Sequence, residues 1–381
     1  MVSKKAGLFI SFLFAISTIL GGCGTADNDN KNNAGEGGTQ EAEENKGNQS
    51  ISIAMVTDEG GIDDRSFNQS AWEGIQAFGK KHNLEKGKGG YDYLQSNGPE
   101  DFKPNLNKLA RNEFDVIFAT GFAFGEALTE IAQQFPEINF AVVDAVVEQP
   151  NVTSVTFKEH EGSFLVGVAA GLATTSNKVG FIGGKEIPLI EKFETGYIAG
   201  VKAVKPDATV EVQYADSWTD EAKGKQIASS MYASGVDVIY HAAGGVGNGL
   251  FSEAVDIKKK DPAKNIYAIG VDRDQWELGC TKWDENANET ERKPEDCTGD
   301  NIALTSMVKR VDVAVQDIAE KTLKGEQTGG QIIEYGIEED GIDIAPTQTN
   351  ISDTMLATIN EWKTKIINGD VKVPQTRAEL K

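Results

Sequence analysis

Short apolar runs alternate along the chain with longer stretches in which apolar residues recur every three or four positions. Residues 51–57, 114–118 and 140–143 are mostly apolar runs of strand length. Residues 66–80 and 126–134 each carry one apolar stripe at helical spacing. Because strands that alternate with helices build parallel sheets covered by helices on both faces, the pattern predicts an α/β fold.

The apolar pattern also repeats once along the chain. Residues 114–118 are echoed by residues 236–240, and each copy is followed by a small glycine-containing turn and a helix. Each unit then ends in a strand that closes with Val-Asp, at Asp144 and at Asp272. Two copies of one unit predict two similar lobes. Ligands of parallel α/β sheets bind beyond the carboxyl ends of the strands, so both aspartates are expected at one cleft between the lobes.

The last third of the chain completes the two lobes. Residues 304–323 place apolar side chains on one helical face, with Lys309 near the start of this expected helix. Residues 331–333 are expected to form a strand, and residues 355–367 a closing helix. A folded part of about 330 residues is long for one core and favours two lobes. The expected divisions are a leader at 1–22, a lipidated cysteine and tether at 23–50, a first lobe at 51–157 with about 276–328, and a second lobe at 158–275 with about 329–381.

The N-terminus has the composition of an export signal. Lys4 and Lys5 precede an apolar run over residues 6–22, which is shorter than the ~20 residues that span a bilayer. The run ends in Leu-Gly-Gly-Cys, which resembles the bacterial lipobox and predicts that Cys23 is the lipid-bearing first residue of the mature protein. The alternative is an ordinary signal peptide that happens to contain a cysteine. Two acyl chains on Cys23 suffice for stable anchoring, and the polar residues 24–50 would tether the folded part to the membrane.

Charge and cysteine content restrict the function further. The formal net charge of −22 argues against nucleic-acid binding, because nucleic acids bind to basic surfaces. Apart from Cys23, the chain has Cys280 and Cys297, and disulfides persist in exported proteins. A disulfide that closes the polar loop between them is expected. A metal site is less favoured because the three histidines are scattered without ligand spacing, and no cofactor is expected.

Two segments carry candidate chemistry, although no catalytic motif is present and an enzyme is not expected. Residues 58–68 are the densest in polar side chains, with Asp63 and Asp64 as acids at a helix start and Ser66 as a candidate N-cap. Residues 244–249 are rich in glycine but lack the dinucleotide-binding spacing. They predict either a tight turn or a close approach of backbone to a ligand, and the two are compatible.

The segment from Asp58 to Gly74, with Gly-Ile-Asp-Asp-Arg-Ser-Phe-Asn-Gln-Ser-Ala-Trp-Glu-Gly at its end, resembles the opening signature of the basic membrane protein family. That family comprises lipoprotein receptors for purine nucleosides, which are the solute-binding components of ABC importers. Further matching blocks lie at 157–165, 193–197, 241–249, 270–275 and 305–310. The resemblance implies a two-lobe, type I periplasmic-binding-protein fold. It also implies an ABC permease and its ATPase as partners.

The resemblance implies how the base of a nucleoside would be held. Phe67 and Phe193 would sandwich the base, one from each lobe, since flat aromatic rings suit a flat purine. Asp58, Asn68 and Asp144 would hydrogen-bond the edge of the base. For Asp144, a purely structural role as a capping aspartate is an equal alternative.

The ribose contacts are implied in the same way. Asp272 would accept hydrogen bonds from ribose hydroxyls, and Lys309 would donate to the same sugar beside a main-chain N–H near Gly244. A solvated helix lysine is the alternative for Lys309. The loop between Cys280 and Cys297 looks inserted between the Asp272 and Lys309 blocks, and it is expected outside the cleft.

Together with the lipobox, the family resemblance implies a receptor at the outer face of the bacterial cytoplasmic membrane, lipid-anchored through Cys23. Its lobes would close on a purine nucleoside of the adenosine, guanosine or inosine class and present it to a permease. One alternative is a receptor for a sugar or another small molecule on the same fold, because a pyranose also stacks on aromatic rings. A surface sensor without a transport role is another, and a nucleoside hydrolase is the least favoured.

Overall fold

Strands and helices alternate through residues 51–288 and 291–380, which are the residues described by the structure, a computed structural model. The expected leader, the lipidated Cys23 and the tether lie outside the described residues. Among the described residues, no helix combines the length and the apolar character needed to cross a bilayer.

The strands are β1 Ile53–Val56, β2 Tyr91–Leu94, β3 Val116–Thr120, β4 Asn139–Val143, β5 Val152–Phe157, β6 Lys178–Gly183, β7 Thr209–Tyr214, β8 Val238–Ala242, β9 Tyr267–Asp272, β10 Ala303–Lys309, β11 Ile332–Tyr335 and β12 Ile342–Ile344. The α-helices are α1 Phe67–Lys81, α2 Phe102–Arg111, α3 Gly125–Gln134, α4 Glu159–Ala173, α5 Pro188–Val204, α6 Glu221–Ala233, α7 Val246–Lys260, α8 Val311–Leu323 and α9 Asp353–Ile367.

The strands form two six-stranded sheets with equivalent strand orders. The first sheet has the order β2-β1-β3-β4-β5-β11 and the second has the order β7-β6-β8-β9-β10-β12. Neighbouring strands are parallel throughout, except for the antiparallel pair of β10 and β12. The predicted α/β fold with two parallel-sheet lobes is therefore confirmed.

Both faces of each sheet are buried. In β1, Ile53 and Met55 pack into one apolar cluster, which includes side chains of α1 and α8, while Ala54 and Val56 pack into another, which includes α2 and α3. Burial on both faces is the reason that the strands appear in the sequence as near-continuous apolar runs.

The internal repeat is confirmed in detail at the start of each sheet. Asp115 precedes β3, and its carboxylate accepts hydrogen bonds from the backbone N–H and the hydroxyl of Ser52, both at 2.7 Å. Asp237 precedes β8 and accepts from the backbone N–H groups of Thr175 at 2.7 Å and Ser176 at 2.8 Å. Aspartates at equivalent positions of the repeat thus hydrogen-bond the chain just before the first strand of each lobe.

The prediction of one helix over residues 304–323 is wrong at its start. Residues Ala303–Lys309 form β10, and α8 begins at Val311. Six of the seven residues of β10 are buried, so the strand shows no alternation between apolar and polar positions. A short run that is buried all round cannot be distinguished from a helix by its periodicity.

The predicted lobe boundaries in the last third of the chain are also wrong. Strand β10, expected in the first lobe, lies in the second sheet, and β11, expected in the second lobe, lies in the first sheet. Helix α8 packs on α1 of the first lobe, as expected. The first lobe thus comprises residues 51–157 and 311–335, and the second comprises residues 159–309 and 342–380.

The chain crosses between the sheets three times, at Lys158, at Arg310 and through residues 336–341. The crossings are bonded to one another: the N–H of Lys158 donates to the carbonyl of Tyr335 at 2.9 Å, and the N–H of Arg310 donates to that of Gly341 at 2.8 Å. These short connections form a hinge about which the lobes would open and close.

The expected disulfide between Cys280 and Cys297 is present, with the two Cα atoms 5.8 Å apart. The rings of Trp276 and Trp283 lie 5.6 Å apart, and the guanidinium of Arg292 lies 4.5 Å from the ring of Trp283. None of the described residues between the two cysteines lines the cavity described below, in agreement with the prediction that the loop lies outside the cleft.

Candidate functional site

A cavity of about 280 Å³ lies between the lobes, beyond the carboxyl ends of the strands. Its volume is near the lower end of the range of roughly 300–1,000 Å³ that is typical of small-molecule sites. The eight residues predicted as ligand contacts all line this cavity: Asp58, Phe67, Asn68, Asp144, Phe193, Gly244, Asp272 and Lys309.

Equivalent strand ends of the two lobes supply an aspartate each in an unusual backbone conformation. Asp144 follows β4 with φ of 69°, and Asp272 ends β9 with φ of 65°. A non-glycine residue with positive φ is uncommon, and such residues cluster at ligand sites where the surrounding structure holds them. Both aspartates line the cavity, at matching positions of the repeat.

A glycine turn lets the backbone of the first lobe approach the cavity closely. Gly121, which follows β3, has φ of 131°, and a Cβ atom at this position would lie 2.8 Å from Oδ2 of Asp58. Gly244 lies in the corresponding turn after β8, with φ of 55°. Glycine tolerates these backbone conformations because it has no Cβ.

The start of α1 is capped by Asp64, not by Ser66 as predicted. The carboxylate of Asp64 accepts from the backbone N–H groups of Ser66 at 2.8 Å, Asn68 at 2.9 Å and Gln69 at 3.1 Å. Ser66 occupies the N-cap position, but its side chain makes no capping bond. Its hydroxyl donates to Oδ2 of Asp272 across the cleft, so this serine joins the two lobes.

Asn68 orients Asp58. Its amide nitrogen donates to Oδ1 of Asp58 at 2.8 Å and to Oδ2 of Asp64 at 3.0 Å, and its amide oxygen accepts from the hydroxyl of Thr120 at 3.0 Å. Both amide hydrogens are therefore used within the protein. Oδ1 of Asp58 also accepts from the N–H of Gly60 at 3.1 Å, whereas Oδ2 has no hydrogen bond to any of the described residues.

Four of the cavity carboxyls, those of Asp58, Asp64, Asp144 and Asp272, have pKa values that burial raises. Burial raises the pKa of Asp58 to about 7, although the hydrogen bonds from Asn68 and Gly60 lower it. Burial also raises the pKa of Asp272 to about 7, against the lowering effects of the Lys309 ammonium and the Ser66 hydroxyl. Perturbed carboxyls in a cleft are typical of functional sites.

Lys309 forms a buried ion pair between the lobes. It ends β10, its side chain is 1% exposed, and its ammonium lies 2.6 and 2.7 Å from the carboxylate oxygens of Asp144 in the first lobe. Oε1 of Glu159 lies 3.2 Å away. Burial lowers the pKa of the ammonium, but the carboxylates of Asp144, Glu159 and Asp272 outweigh burial and raise it. The alternative of a solvated helix lysine is wrong on both counts.

Three phenylalanine rings surround the same ammonium. The Nζ atom of Lys309 lies 4.9 Å from the ring centroid of Phe157, 5.3 Å from that of Phe67 and 5.7 Å from that of Phe193. These distances are within the range of cation–π attraction. Phe67 begins α1 in the first lobe and Phe193 lies on α5 in the second, so the two predicted aromatic residues come from opposite lobes.

Several residues of the site were not singled out from the sequence. Phe122 and Trp218 line the cavity from opposite lobes, with ring centroids 6.2 Å apart. Phe122 follows β3 directly after Gly121, and Trp218 follows the end of β7. Their positions just beyond strand ends were the signal available in the sequence. Glu159, the second acid on Lys309, lies in the block 157–165.

The lining of the cavity is acidic. Its charged side chains are those of Asp58, Asp63, Asp64, Asp144, Glu221, Asp272 and Lys309. The single ammonium is already paired with Asp144, so the cavity offers mainly acceptors to a ligand. It favours a neutral molecule that carries hydrogen-bond donors. Within the described part of the chain, no group of acidic, histidine or cysteine side chains has the geometry of a metal site.

Comparisons of the sequence place these features in context. A family model described as ABC transporter substrate-binding protein PnrA-like matches residues 51–377. The CD4+ T-cell-stimulating antigen of Listeria innocua is 47% identical over 376 residues, covering 98% of this chain and 99% of that protein. The ABC transporter nucleoside-binding protein BmpA of Lactococcus lactis subsp. cremoris is 44% identical over 326 residues, covering 85% and 89%.

Solved structures show the same architecture. An ABC transporter solute-binding protein from Aeropyrum pernix K1 superposes with a TM-score of 0.71 and 26% identity, covering 86% of this chain and 95% of that chain. A solute-binding protein from Conexibacter woesei superposes with a TM-score of 0.63 at 21% identity, covering 85% and 99%. The second likeness supports the fold alone.

Proposed function

Since the chain belongs to the family of PnrA-like ABC transporter substrate-binding proteins, we propose that it binds purine nucleosides in the cavity between its lobes. The family consists of non-enzymatic solute-binding proteins, so the hydrolase hypothesis is set aside. The observation that carries the proposal is the pair of phenylalanines, Phe67 and Phe193, that line an acidic cavity from opposite lobes. The 44% identity to a nucleoside-binding protein supports the same ligand class.

The base would stack on Phe67 and Phe193, and base stacking on an aromatic ring contributes roughly 1–3 kcal/mol per base. Oδ2 of Asp58 would accept a hydrogen bond from a ring N–H or an amino group of the base. Asn68 would act by orienting Asp58, because its own amide hydrogens are already bonded. Asp144 would act mainly through Lys309, whose ammonium contacts both of its carboxylate oxygens.

The ribose would lie beside Asp272 and Lys309. Oδ2 of Asp272 accepts from Ser66, and its other oxygen would accept from a ribose hydroxyl. The ammonium of Lys309 and a main-chain N–H near Gly244 would donate to the sugar oxygens. Because these ribose contacts belong to the second lobe, whereas Asp58 and Phe67 at the base belong to the first, the ligand would stabilise the closed arrangement.

We also propose where the receptor is attached and which proteins it serves. A lipid on Cys23 would hold the protein at the outer face of the bacterial cytoplasmic membrane, and an ABC permease with its ATPase would take the nucleoside from it. These parts of the proposal rest on the lipobox resemblance and on the family. Metabolic labelling with a fatty acid would test the anchor, since a Cys23→Ala variant should lose the label and leave the membrane fraction.

Isothermal titration calorimetry of the full-length protein tests the ligand class. We expect adenosine, guanosine and inosine to bind with dissociation constants of about 1 μM or below, equivalent to about −8 kcal/mol. Free ribose and glucose serve as comparisons for the sugar-receptor alternative. Saturable binding of a sugar, with no heat from any purine nucleoside, would contradict the proposal and support the sugar-receptor alternative.

Nucleoside 5′-monophosphates are expected to bind about 30-fold or more weakly than the matching nucleosides. A phosphate would add negative charge to a cavity already lined by six carboxyl side chains, and repulsion between like charges about 6 Å apart amounts to roughly 2–3 kcal/mol at an effective dielectric constant of 20. Competition of guanosine 5′-monophosphate against labelled guanosine measures the ratio. Equal affinities would show that the acidic lining does not select against phosphate.

Affinity is expected to rise as pH increases from 5.5 to 7 and to level off above it. A carboxylate that accepts from the ligand must be ionised, and burial raises the pKa of both Asp58 and Asp272 to about 7. Below that pH, binding therefore requires loss of a proton, and affinity changes by up to about tenfold per pH unit for each such group. Asp64 and Glu59 lie beside Asp58 and add to its raised pKa.

The contribution of Asp58 can be separated by substitution. Asp58→Asn should remove the part of the pH dependence of affinity that is due to Asp58. Asp272→Asn is the matched variant for the carboxyl proposed to contact the ribose. A profile that is flat in the unsubstituted protein would show that no carboxyl with a pKa near 7 has to ionise for the ligand to bind.

A further inference from the structure

The C-terminal segment, residues 373–380, packs against α5 of the second lobe, and we refer to it as the C-terminal strap. Val373 is buried in the apolar core, and the carbonyl of Pro374 accepts from the hydroxyl of Thr195 on α5 at 3.1 Å. A short 3-10 helix over Arg377–Glu379 follows. The strap thus lies far along the chain from the helix that it contacts.

Arg377 ties the strap to three glutamates at or near the start of α5. Its guanidinium forms a two-pronged pair with Glu194, at 2.8 and 2.7 Å, and a third N–H group donates to Glu186 at 2.6 Å. The backbone N–H of Arg377 donates to Glu191 at 2.6 Å. The hydroxyl of Tyr214 also donates to Glu194. This fork of two parallel hydrogen bonds fixes both the distance and the orientation between the guanidinium and the Glu194 carboxylate. A lysine ammonium could not form it.

Burial decides how much this contact contributes. The Arg377 side chain is 42% exposed, and an exposed ion pair by itself contributes little. The Glu194 side chain, however, is only 5% exposed. A carboxylate that is buried without a cation is strongly destabilising, so α5 in its present position depends on the guanidinium of Arg377.

The same stretch of α5 forms part of the cavity wall. Leu189, Ile190 and Phe193 line the cavity, whereas Glu194 and Arg377 do not. The helix starts with Ile187 at the N-cap position, and no side chain caps it there. The strap is therefore bonded to the part of α5 that carries the second aromatic ring of the site.

We propose that Arg377 is a positioning residue for ligand binding, which acts through Glu194 to hold α5 in the orientation that presents Phe193 to the cavity. The proposal rests on the proposed function, since it assigns a remote residue to the same nucleoside site. The strap should therefore raise ligand affinity only when the Phe193 ring is present.

A double-mutant cycle tests this coupling in the full-length protein, with guanosine affinity measured by calorimetry. We expect Arg377→Met to weaken binding about tenfold in the presence of Phe193, and by less than about twofold in a Phe193→Ala background. Arg377→Lys should recover little, because an ammonium cannot form the fork. Lys363→Met is the matched control, because Lys363 on α9 pairs with Asp343 on β12 at 2.6 Å in the same lobe.

Equal losses from Arg377→Met in both backgrounds would overturn the proposal, because they would indicate general destabilisation. Unchanged affinity in Arg377→Met would overturn it as well. If Arg377→Met does not fold, Glu194→Gln removes the charge that the guanidinium holds and should show the same dependence on Phe193. Failure of the unsubstituted protein to bind any nucleoside would instead contradict the proposed function.

Discussion

Replacing Lys309 with methionine is expected to weaken nucleoside binding by about 100-fold or more. The ammonium is 1% exposed and lies between Asp144 of the first lobe and Glu159 of the second. Without it, closing the lobes would bring the two carboxylates together in a buried place. Lys192 lies 3.2 Å from Glu159, but no other described ammonium forms an ion pair with Asp144. Removal of one partner from a buried ion pair costs about 3–5 kcal/mol, and ligand affinity falls by the same amount when binding requires the closed arrangement.

Lys185→Met is the control for the Lys309 experiment. Lys185 also pairs with an acid across the lobes, at 3.1 Å from Glu59, but both side chains are partly exposed, at 30% and 27%. Exposed pairs contribute about 1 kcal/mol or less, so we expect a loss of at most about fivefold. A second arm removes the unpaired acid: Asp144→Asn combined with Lys309→Met should recover part of the affinity lost in Lys309→Met alone.

Calorimetry with guanosine measures each affinity, and urea unfolding shows whether each variant is folded. If Lys309→Met bound guanosine as well as Lys185→Met did, the buried pair would have no special part in closure. If the added Asp144→Asn substitution lowered the affinity further, the carboxylate of Asp144 would itself be a ligand contact.

Much of the architecture could be predicted from the sequence because the repeat is local. Each lobe places its strands and helices in the same order, and the aspartates at matching strand ends, Asp144 and Asp272, could be assigned to one cleft by topology. The strand exchange could not be predicted. Strand β11 has only four residues, and β10 is buried at six of its seven positions and was predicted as the start of a helix. The sheet that each one joins is decided by contacts with distant parts of the chain.

In the candidate site, too, some features could be predicted from the sequence and others could not. The resemblance to a known family identified all eight predicted lining residues, but it did not describe how they contact one another. Lys309 pairs with Asp144, which lies 165 positions earlier in the chain, and this pairing has no local pattern. Asn68 was predicted to contact the base, yet its amide hydrogens are already bonded to Asp58 and Asp64. Such roles depend on hydrogen-bond partners, which a motif does not specify.

Asp272→Ala is expected to weaken ribonucleoside binding by about 100-fold, with a much smaller effect on a 2′,3′-dideoxynucleoside. Hydrogen bonds to a charged group contribute roughly 1.5–3 kcal/mol each, and the proposed bonds from Asp272 to the ribose disappear when the ligand lacks the hydroxyls. The comparison of two ligands therefore isolates the sugar contact from other effects of the substitution.

Ser66→Ala separates the two contributions of Asp272. The hydroxyl of Ser66 donates to Oδ2 of Asp272 across the cleft, so its removal weakens lobe closure and leaves the proposed ribose contact in place. We expect a loss of about tenfold or more, equal for both ligands, since a hydrogen bond to a charged carboxylate contributes roughly 1.5–3 kcal/mol. If Asp272→Ala also reduced the affinity for both ligands equally, Asp272 would act on closure alone, and the ribose would have to be bound by other groups of the cavity.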